Sequence, residues 1–300
     1  MIAESFYLPE VRCDYQVTER QKKIWAVELN LLEQFDLFCR KYNIQYFAGY
    51  GTLLGAVRHQ GFIPWDNDID VVMFRPEYER LKSLNSSFFH APFSLQFSTF
   101  SESLELVSPF AQLHDDRTSA VAFPEAPPEM SQGIFIDIFP LDSVEDGSEE
   151  SAVMYELKRE LWCAASMKDS FMDAVTAGNS VIDREMADSL CGLPADERLA
   201  FYETYCLNSF ENTEMVDFIP RFRYKRQRGL TIGWDKNYFK TTEYLPFEHL
   251  QIPVPSDYDP ILRCEYGNYT EFVRGESCHE DLFMDPDRPY LDYLEGGIAE

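Results

Sequence analysis

The sequence predicts an α+β fold, a mixed β-sheet core flanked by helices with a helical insertion and a C-terminal extension. Three observations predict it. A capped amphipathic helix pattern stands near the N-terminus, extended apolar segments recur at 44–47, 66–74 and 133–142, and helical periodicity takes over from Ser148.

Residues 1–17 read as a strap-like lead-in. Thr18, Glu19, Arg20 and Gln21 form a capping-box pattern, after which Ile24, Val27, Leu31, Phe35 and Phe38 recur at helical spacing up to about Lys41. This reads as a packing helix that carries no chemistry of its own. Ile44 to Phe47 is extended. Gly49 and Gly51 then flank Tyr50, and glycine lets a backbone turn sharply and approach a ligand closely. The Thr52 hydroxyl and the free N–H groups of a short helix over Leu53 to Val57 make a phosphate-sized site at a helix start.

Gly61 to Trp65 is a turn-rich bend that leads into Asp66, Asn67, Asp68, Ile69, Asp70 and the apolar run Val71 to Phe74. In an extended chain Asp66, Asp68 and Asp70 share one face while Ile69 and Val71 take the other. Three clustered carboxylates raise one another's pKa unless a cation lies between them, and a hard divalent ion, Mg²⁺ with Mn²⁺ as its substitute, accounts for them. Two plainer readings compete. One is a solvated acidic turn. The other is a calcium loop with Asp66, Asp68, Asp70 and Glu77 at the ligand positions, which fails because Val71 stands where that loop needs glycine.

Further along, Pro76 to Leu84 predicts a helix, Phe88 to Phe100 a strand, and Leu104 to Leu113 another strand leading to a polar turn at His114 to Thr118. Phe123 to Met130 is a proline-rich acidic loop. Gly133 to Asp142 is an apolar strand with one charge, Asp137, in its middle. A lone carboxylate there costs several kcal/mol unless paired or metal-bound, and the plainer alternative is a strand-end cap. Asp142, past Pro140, reads as a turn or helix-capping residue. Ser148 caps a helix through Val153, Leu157, Leu161 and Ala164; a second is expected over Ala177 to Leu190, and a third opens at Pro194 and turns Leu199, Tyr202, Tyr205 and Cys206 inward. This divides the chain into a core over 18–145 and a mainly helical extension over 146–300 that completes the same domain and the acceptor site.

With 300 residues, 45% hydrophobic and 15% aromatic, the chain can bury a substantial core. Its formal net charge of -26 argues against a nucleic-acid or anionic-membrane surface, so any phosphate-bearing substrate must be drawn in locally. Seven cysteines without a Cys-x-x-Cys pair point to free thiols in a reducing compartment. The N-terminus lacks a basic segment before an apolar run, and no stretch reaches the roughly 18 apolar residues of a membrane span. The expectation is a cytoplasmic protein, peripheral to the inner face of a membrane where a lipid-linked acceptor brings it there.

The run from Gly51 to Asp70, GTLLGAVRHQGFIPWDNDID, closely resembles the signature of the LicD family, phosphocholine transferases that share a nucleotidyltransferase core with the fukutin-type proteins. It departs from the family pattern at Asn67, where another aspartate is common. Ile136 to Asp142, IDIFPLD, resembles the family's second motif, and Thr242 to Tyr269 resembles its C-terminal region. The resemblance implies a nucleotidyltransferase-like sheet and makes Asp137 the third catalytic acid beside Asp68 and Asp70. It implies transfer of a phosphoalcohol, phosphocholine from CDP-choline, to a hydroxyl of a cell-surface glycan precursor. Asp66, Asp68, Asp70 and Asp137 would hold Mg²⁺, and Gly51, Thr52, Arg58 and Trp65 would contact substrate. Tyr50, Phe62 and Trp65 are the aromatic candidates for a trimethylammonium group.

Arg221 to Arg228 places five cations in eight residues; extended, it would bring Arg221, Arg223 and Lys225 to one side as a phosphate clamp, the plainer reading being a solvated basic face. His249 and His279 read as surface or structural residues. Two rival functions stand beside the transferase: a metal-dependent glycosyltransferase using a nucleotide sugar, which needs neither the Gly-Thr turn nor a third buried acid, and a non-catalytic binding protein on the same fold.

Overall fold

The computed structural model describes residues 2–98, 108–123, 125, 127, 130–230, 232–275 and 282–296. A small hairpin of β1 (Glu10–Arg12) and β2 (Tyr15–Val17) precedes the long helix α1 (Glu19–Tyr42), whose start is capped by the Thr18 hydroxyl accepting from the Gln21 N–H at 3.2 Å. Then come β3 (Phe47–Ala48), α2 (Tyr50–Arg58), β4 (Asp70–Phe74), α3 (Arg75–Leu84), β5 (Phe93–Gln96), β6 (Ala111–Asp115), β7 (Ser119–Val121) and the ten-residue β8 (Ile134–Ser143). Helices α4 (Glu149–Ser166), α5 (Lys168–Thr176), α6 (Arg184–Cys191) and α7 (Ala195–Asn208) follow. After them come β9 (Met215–Asp217), α8 (Phe222–Arg228), β10 (Trp234–Asp235), β11 (Thr242–Phe247), β12 (Leu250–Pro255), α9 (Tyr258–Tyr266), β13 (Phe283–Asp285) and α10 (Tyr290–Gly296).

The main sheet is mixed and centred on β8, which pairs parallel with β4 on one side and antiparallel with β6 on the other. The far end of β8 pairs with β9, and β9 with β10, so the C-terminal half extends the same sheet. Helix α1 packs on β8 and β6, and α3 on β4 and β8. One core joins Phe35, Val71 and Ile138 with Trp234, Phe247, Val254 and Leu262; a second, built from α4 to α8, gathers Leu161, Trp162, Leu199, Tyr202, Cys206 and Phe222. This is the α+β architecture of a mixed sheet flanked by helices that the sequence predicts.

Several expectations change at the level of elements. The helix expected over Ala177 to Leu190 starts only at Arg184 as α6, where Asp183 caps it by accepting from the Met186 N–H; before it, the unexpected α5 ends at Thr176, with Gly178 just beyond at a positive φ of +73°. His114 and Asp115 lie buried in β6 rather than in a turn. Asp142 is no cap: it is 0% exposed in β8 and takes a bidentate grip from Arg75, Nε to Oδ1 at 2.7 Å and Nη2 to Oδ2 at 2.8 Å. Residues 222–228 are helical, not extended, so helical spacing sets Arg221 and Lys225 together against Glu265 while Arg223, Arg226 and Arg228 stay exposed. Glu77 pairs with Arg80 from within α3, away from the aspartate run. The expected strands at 88–100 and 104–113 fall partly outside the described residues, as do the 123–130 loop, Cys278 and His279; Cys13, Cys39, Cys163, Cys191 and Cys206 are free, and His249 is exposed.

Candidate active site

A single row across three strands carries the site. Asp70 on β4 stands directly opposite Asp137 on β8, and Asp137 in turn opposite Gln112 on β6. Residues paired in this way present their side chains to the same face. Gln112 Nε2 donates to Asp137 Oδ1 at 2.8 Å, fixing that carboxylate. Ile136 and Ile138 on either side are 0% exposed and Asp137 is 5% exposed, so the charge sits in the apolar strand where the sequence places it.

Asp66 and Asp68 reach the same place from a loop, since β4 begins only at Asp70. The two carboxyls lie close enough for Asp68 to raise that of Asp66. The loop is tied to α1: Trp25 Nε1 donates to the Asp66 carbonyl at 2.9 Å and Gln21 Nε2 to the Pro64 carbonyl at 2.8 Å. The glycine turn is stitched to the acid strand on both sides of Asp70, with the Gly49 N–H donating to its carbonyl at 2.9 Å and its own N–H donating to the Thr52 hydroxyl at 2.8 Å. Thr52 therefore positions Asp70. A Cβ at Gly51 would stand 2.8 Å from Asp66 Oδ2, so glycine is what lets that carboxylate lie against the start of α2.

Electrostatically the site is overloaded. Burial, then Asp68, Asp137 and Asp66 in that order, push the Asp70 carboxyl well above the usual range, with Arg221 acting the other way. Burial and Asp68 do the same to Asp66. A fifth acid joins them. Glu28, in the middle of α1, is 0% exposed, both its carboxyl oxygens lack hydrogen-bond partners, and its carboxyl is raised by burial and then by Asp68, Asp66 and Asp137. The reading of α1 as a helix without chemistry overlooked it; the signal was an acid on the apolar stripe, four residues after Ile24 and three before Leu31. Among the described residues no three His, Cys, Asp or Glu side chains stand in coordinating geometry. The donor set nonetheless fits a hard divalent cation, being all carboxylate oxygen, with the two buried oxygens of Glu28 beside it left unpartnered.

The remaining residues divide. Arg58, at the far end of α2 from Thr52, donates from Nη1 to the carbonyls of Tyr269 and Glu271 at 2.9 and 3.0 Å and lies over the Phe272 ring, so it ties down the C-terminal segment. Arg221 is the cation whose field reaches Asp70; it lies 4.2 Å over the Tyr50 ring and 3.5 Å from Glu265. Phe62 is 2% exposed and stacked on Trp25 at 4.6 Å, which removes it from any ligand-facing role, and one face of Tyr50 is covered by Arg221. Trp65 is half-buried, edge-on to Tyr15 and His59. Tyr266 was not singled out in the sequence: the residue is 42% exposed, and its hydroxyl is raised by burial and then by Glu265, Asp70 and Asp66.

Comparison with known proteins follows the same residues. The family described as LicD/FKTN/FKRP, nucleotidyltransferase domain, matches residues 43–166, the segment that holds the glycine turn, the aspartate run and Asp137. The chain is similar to the lipopolysaccharide cholinephosphotransferase LicD of Haemophilus influenzae, 28% identical over 267 residues, covering 85% of this chain and 92% of that protein. Shorter similarities link it to uncharacterized proteins of Rickettsia prowazekii, 46% identical over 48 residues (16% of this chain, 18% of that protein), and of Rickettsia typhi, 43% identical over 58 residues (19% and 18%). Residues 43–166 of this chain are thus similar to the LicD-family nucleotidyltransferase domain.

Proposed function

We propose that this chain is a Mg²⁺-dependent transferase that moves phosphocholine from CDP-choline to a hydroxyl of a glycan precursor. The observation that carries the reading is the opposition of Asp70 and Asp137 beside Asp66 and Asp68, within a chain similar over most of its length to a lipopolysaccharide cholinephosphotransferase. Asp68, Asp70 and Asp137, with Asp66, would hold the cation, Mg²⁺ or Mn²⁺, which neutralises charge on the donor's diphosphate during in-line transfer.

The other steps belong to the chain's own groups. The first-turn N–H groups of Gly51 and Thr52, ahead of the first intrahelical bond from Leu53 to Gly49, face an anion at a helix start. Arg221, pinned by Glu265 and Tyr50, adds a guanidinium for the diphosphate. Asp137, oriented by Gln112, takes the acceptor hydroxyl's proton. Tyr266, a 42% exposed residue, would with Trp65 offer aromatic faces to the trimethylammonium group. Among the described residues no helix is long and apolar enough to cross a membrane, so a lipid-linked acceptor would be met at the bilayer surface.

Incubation with Mg²⁺ and either CDP-choline or UDP-sugars tests the reading. CMP release with CDP-choline supports it, UDP release supports the nucleotide-sugar alternative, and a panel of CDP-alcohols identifies the alcohol. Turnover unchanged in Asp68→Ala plus Asp70→Ala would place any chemistry elsewhere.

A further inference from the structure

Glu28 occupies a core position of α1 where leucine or isoleucine would stabilise the helix packing. Gln21, Trp25 and Glu28 follow one another at i, i+4 and i+7 and so share one side of the helix. The first two hold the loop that carries Asp66, through the carbonyls of Pro64 and Asp66. Glu28, one turn further on, is thereby aimed along that loop toward Asp66 and Asp68. It is 0% exposed, and neither carboxyl oxygen has a hydrogen-bond partner.

Charge points the same way. Glu28, Asp66, Asp68, Asp70 and Asp137 together carry five negative charges when ionised, and the guanidinium whose field opposes them at Asp70, among the described residues, is that of Arg221. One divalent cation leaves the site negative before an anionic donor arrives; two bring it to balance with Arg221.

We infer that Glu28, with Asp66 and Asp68 as ligands shared with the first ion, holds a second divalent cation on the α1 side of the site, beside the ion held by Asp70 and Asp137. This rests on the metal-dependent reading above. A ligand drawn from α1 would make the docking of that helix, and with it the position of the Asp66 loop, dependent on the cation.

The test is Mn²⁺ titration of the full chain, counting bound ions by electron paramagnetic resonance, alongside thermal unfolding with and without Mn²⁺. Expected results are two bound ions in the parent and one in Glu28→Gln. Glu28→Leu should show a higher metal-free Tm than the parent, because a buried unpaired carboxylate is gone, and a smaller rise in Tm on adding Mn²⁺. One ion in the parent, retained by Glu28→Gln and lost in Asp70→Asn, overturns this inference and leaves the proposed function standing. Loss of both ions in Glu28→Gln overturns the second site, and no Mn²⁺ binding in the parent overturns both readings. A metal-free Tm below the parent's in Glu28→Leu also overturns it, since the carboxylate would then have a structural partner.

Discussion

Asp70 and Asp137, 67 positions apart in the chain, are direct partners in the parallel register of β4 and β8. Two carboxylates so placed repel each other unless something positive is shared between them. Replacing either by asparagine is expected to lower phosphocholine transfer by about 100-fold or more. The same variants should unfold at a higher temperature than the parent in metal-free buffer, because one like charge is removed; CMP release and thermal unfolding measure the two effects. A variant that loses stability and keeps turnover would contradict the assignment.

Thr52 connects the glycine turn to Asp70 through the backbone. Thr52→Val leaves the Asp70 N–H without its acceptor, at a cost of about 1–3 kcal/mol. Displacement of the acid should reduce turnover about 10- to 100-fold, while Thr52→Ser keeps both stability and activity. Chemical denaturation and steady-state kinetics on the pair of variants check this.

Arg221 separates charge from geometry. Arg221→Ala should raise the KM for CDP-choline by about tenfold or more, the loss of a charge-assisted contact. Arg221→Lys keeps the charge but not the planar fork, and should fall between. Equal KM values for all three proteins would remove Arg221 from the donor site.

The Arg75 and Asp142 pair is structural. Both are buried, at 1% and 0% exposure, and Tyr202 adds a hydroxyl to Asp142 at 3.2 Å. Breaking the pair with Asp142→Asn should cost about 3–5 kcal/mol, whereas the double change Arg75→Met with Asp142→Leu should recover much of it. Urea midpoints of the single and double variants decide the matter.

His114 makes stability depend on pH. Burial holds its imidazole down at about 4, against 6.5 ordinarily, and outweighs the opposing bond to the Gly133 carbonyl at 3.0 Å. As pH falls below 6.5 the unfolded chain takes up this proton while the folded chain does not until about 4, so the histidine's contribution is complete above 6.5 and is lost across that window. The loss should reach up to about 3 kcal/mol. His114→Asn keeps a donor for Gly133 without titrating, and its unfolding free energy should fall less between those pH values than the parent's.

The order of elements was legible because its signals are local. The cap at Thr18, the apolar stripe of α1, the glycine turn, the aspartate run and the lone acid of β8 each declare themselves within about ten residues; each took the expected type except the aspartate run, where β4 begins only at Asp70 and leaves Asp66 and Asp68 in a loop. Failures came where spacing admitted two answers. The basic run reads as an extended clamp or as a helix with equal ease, and the positive φ at Gly178 just beyond α5 is one residue's conformation.

What the sequence determined by itself is the set of chemical groups: a glycine-threonine turn, three acids in one stretch and a fourth in an apolar strand. Only the tertiary structure decided which groups meet. Strand register made Asp137 the partner of Asp70 and Gln112, and helix packing brought Glu28 from a stripe of core residues to the edge of the acid cluster. A buried pair with Arg75 removed Asp142 from the surface, and Arg58 was tied to carbonyls while Arg221 was brought within the field of Asp70. The reason is physical: side-chain type and local periodicity are written along the chain, whereas the distance between two charges is set by register and packing across elements that no local pattern connects.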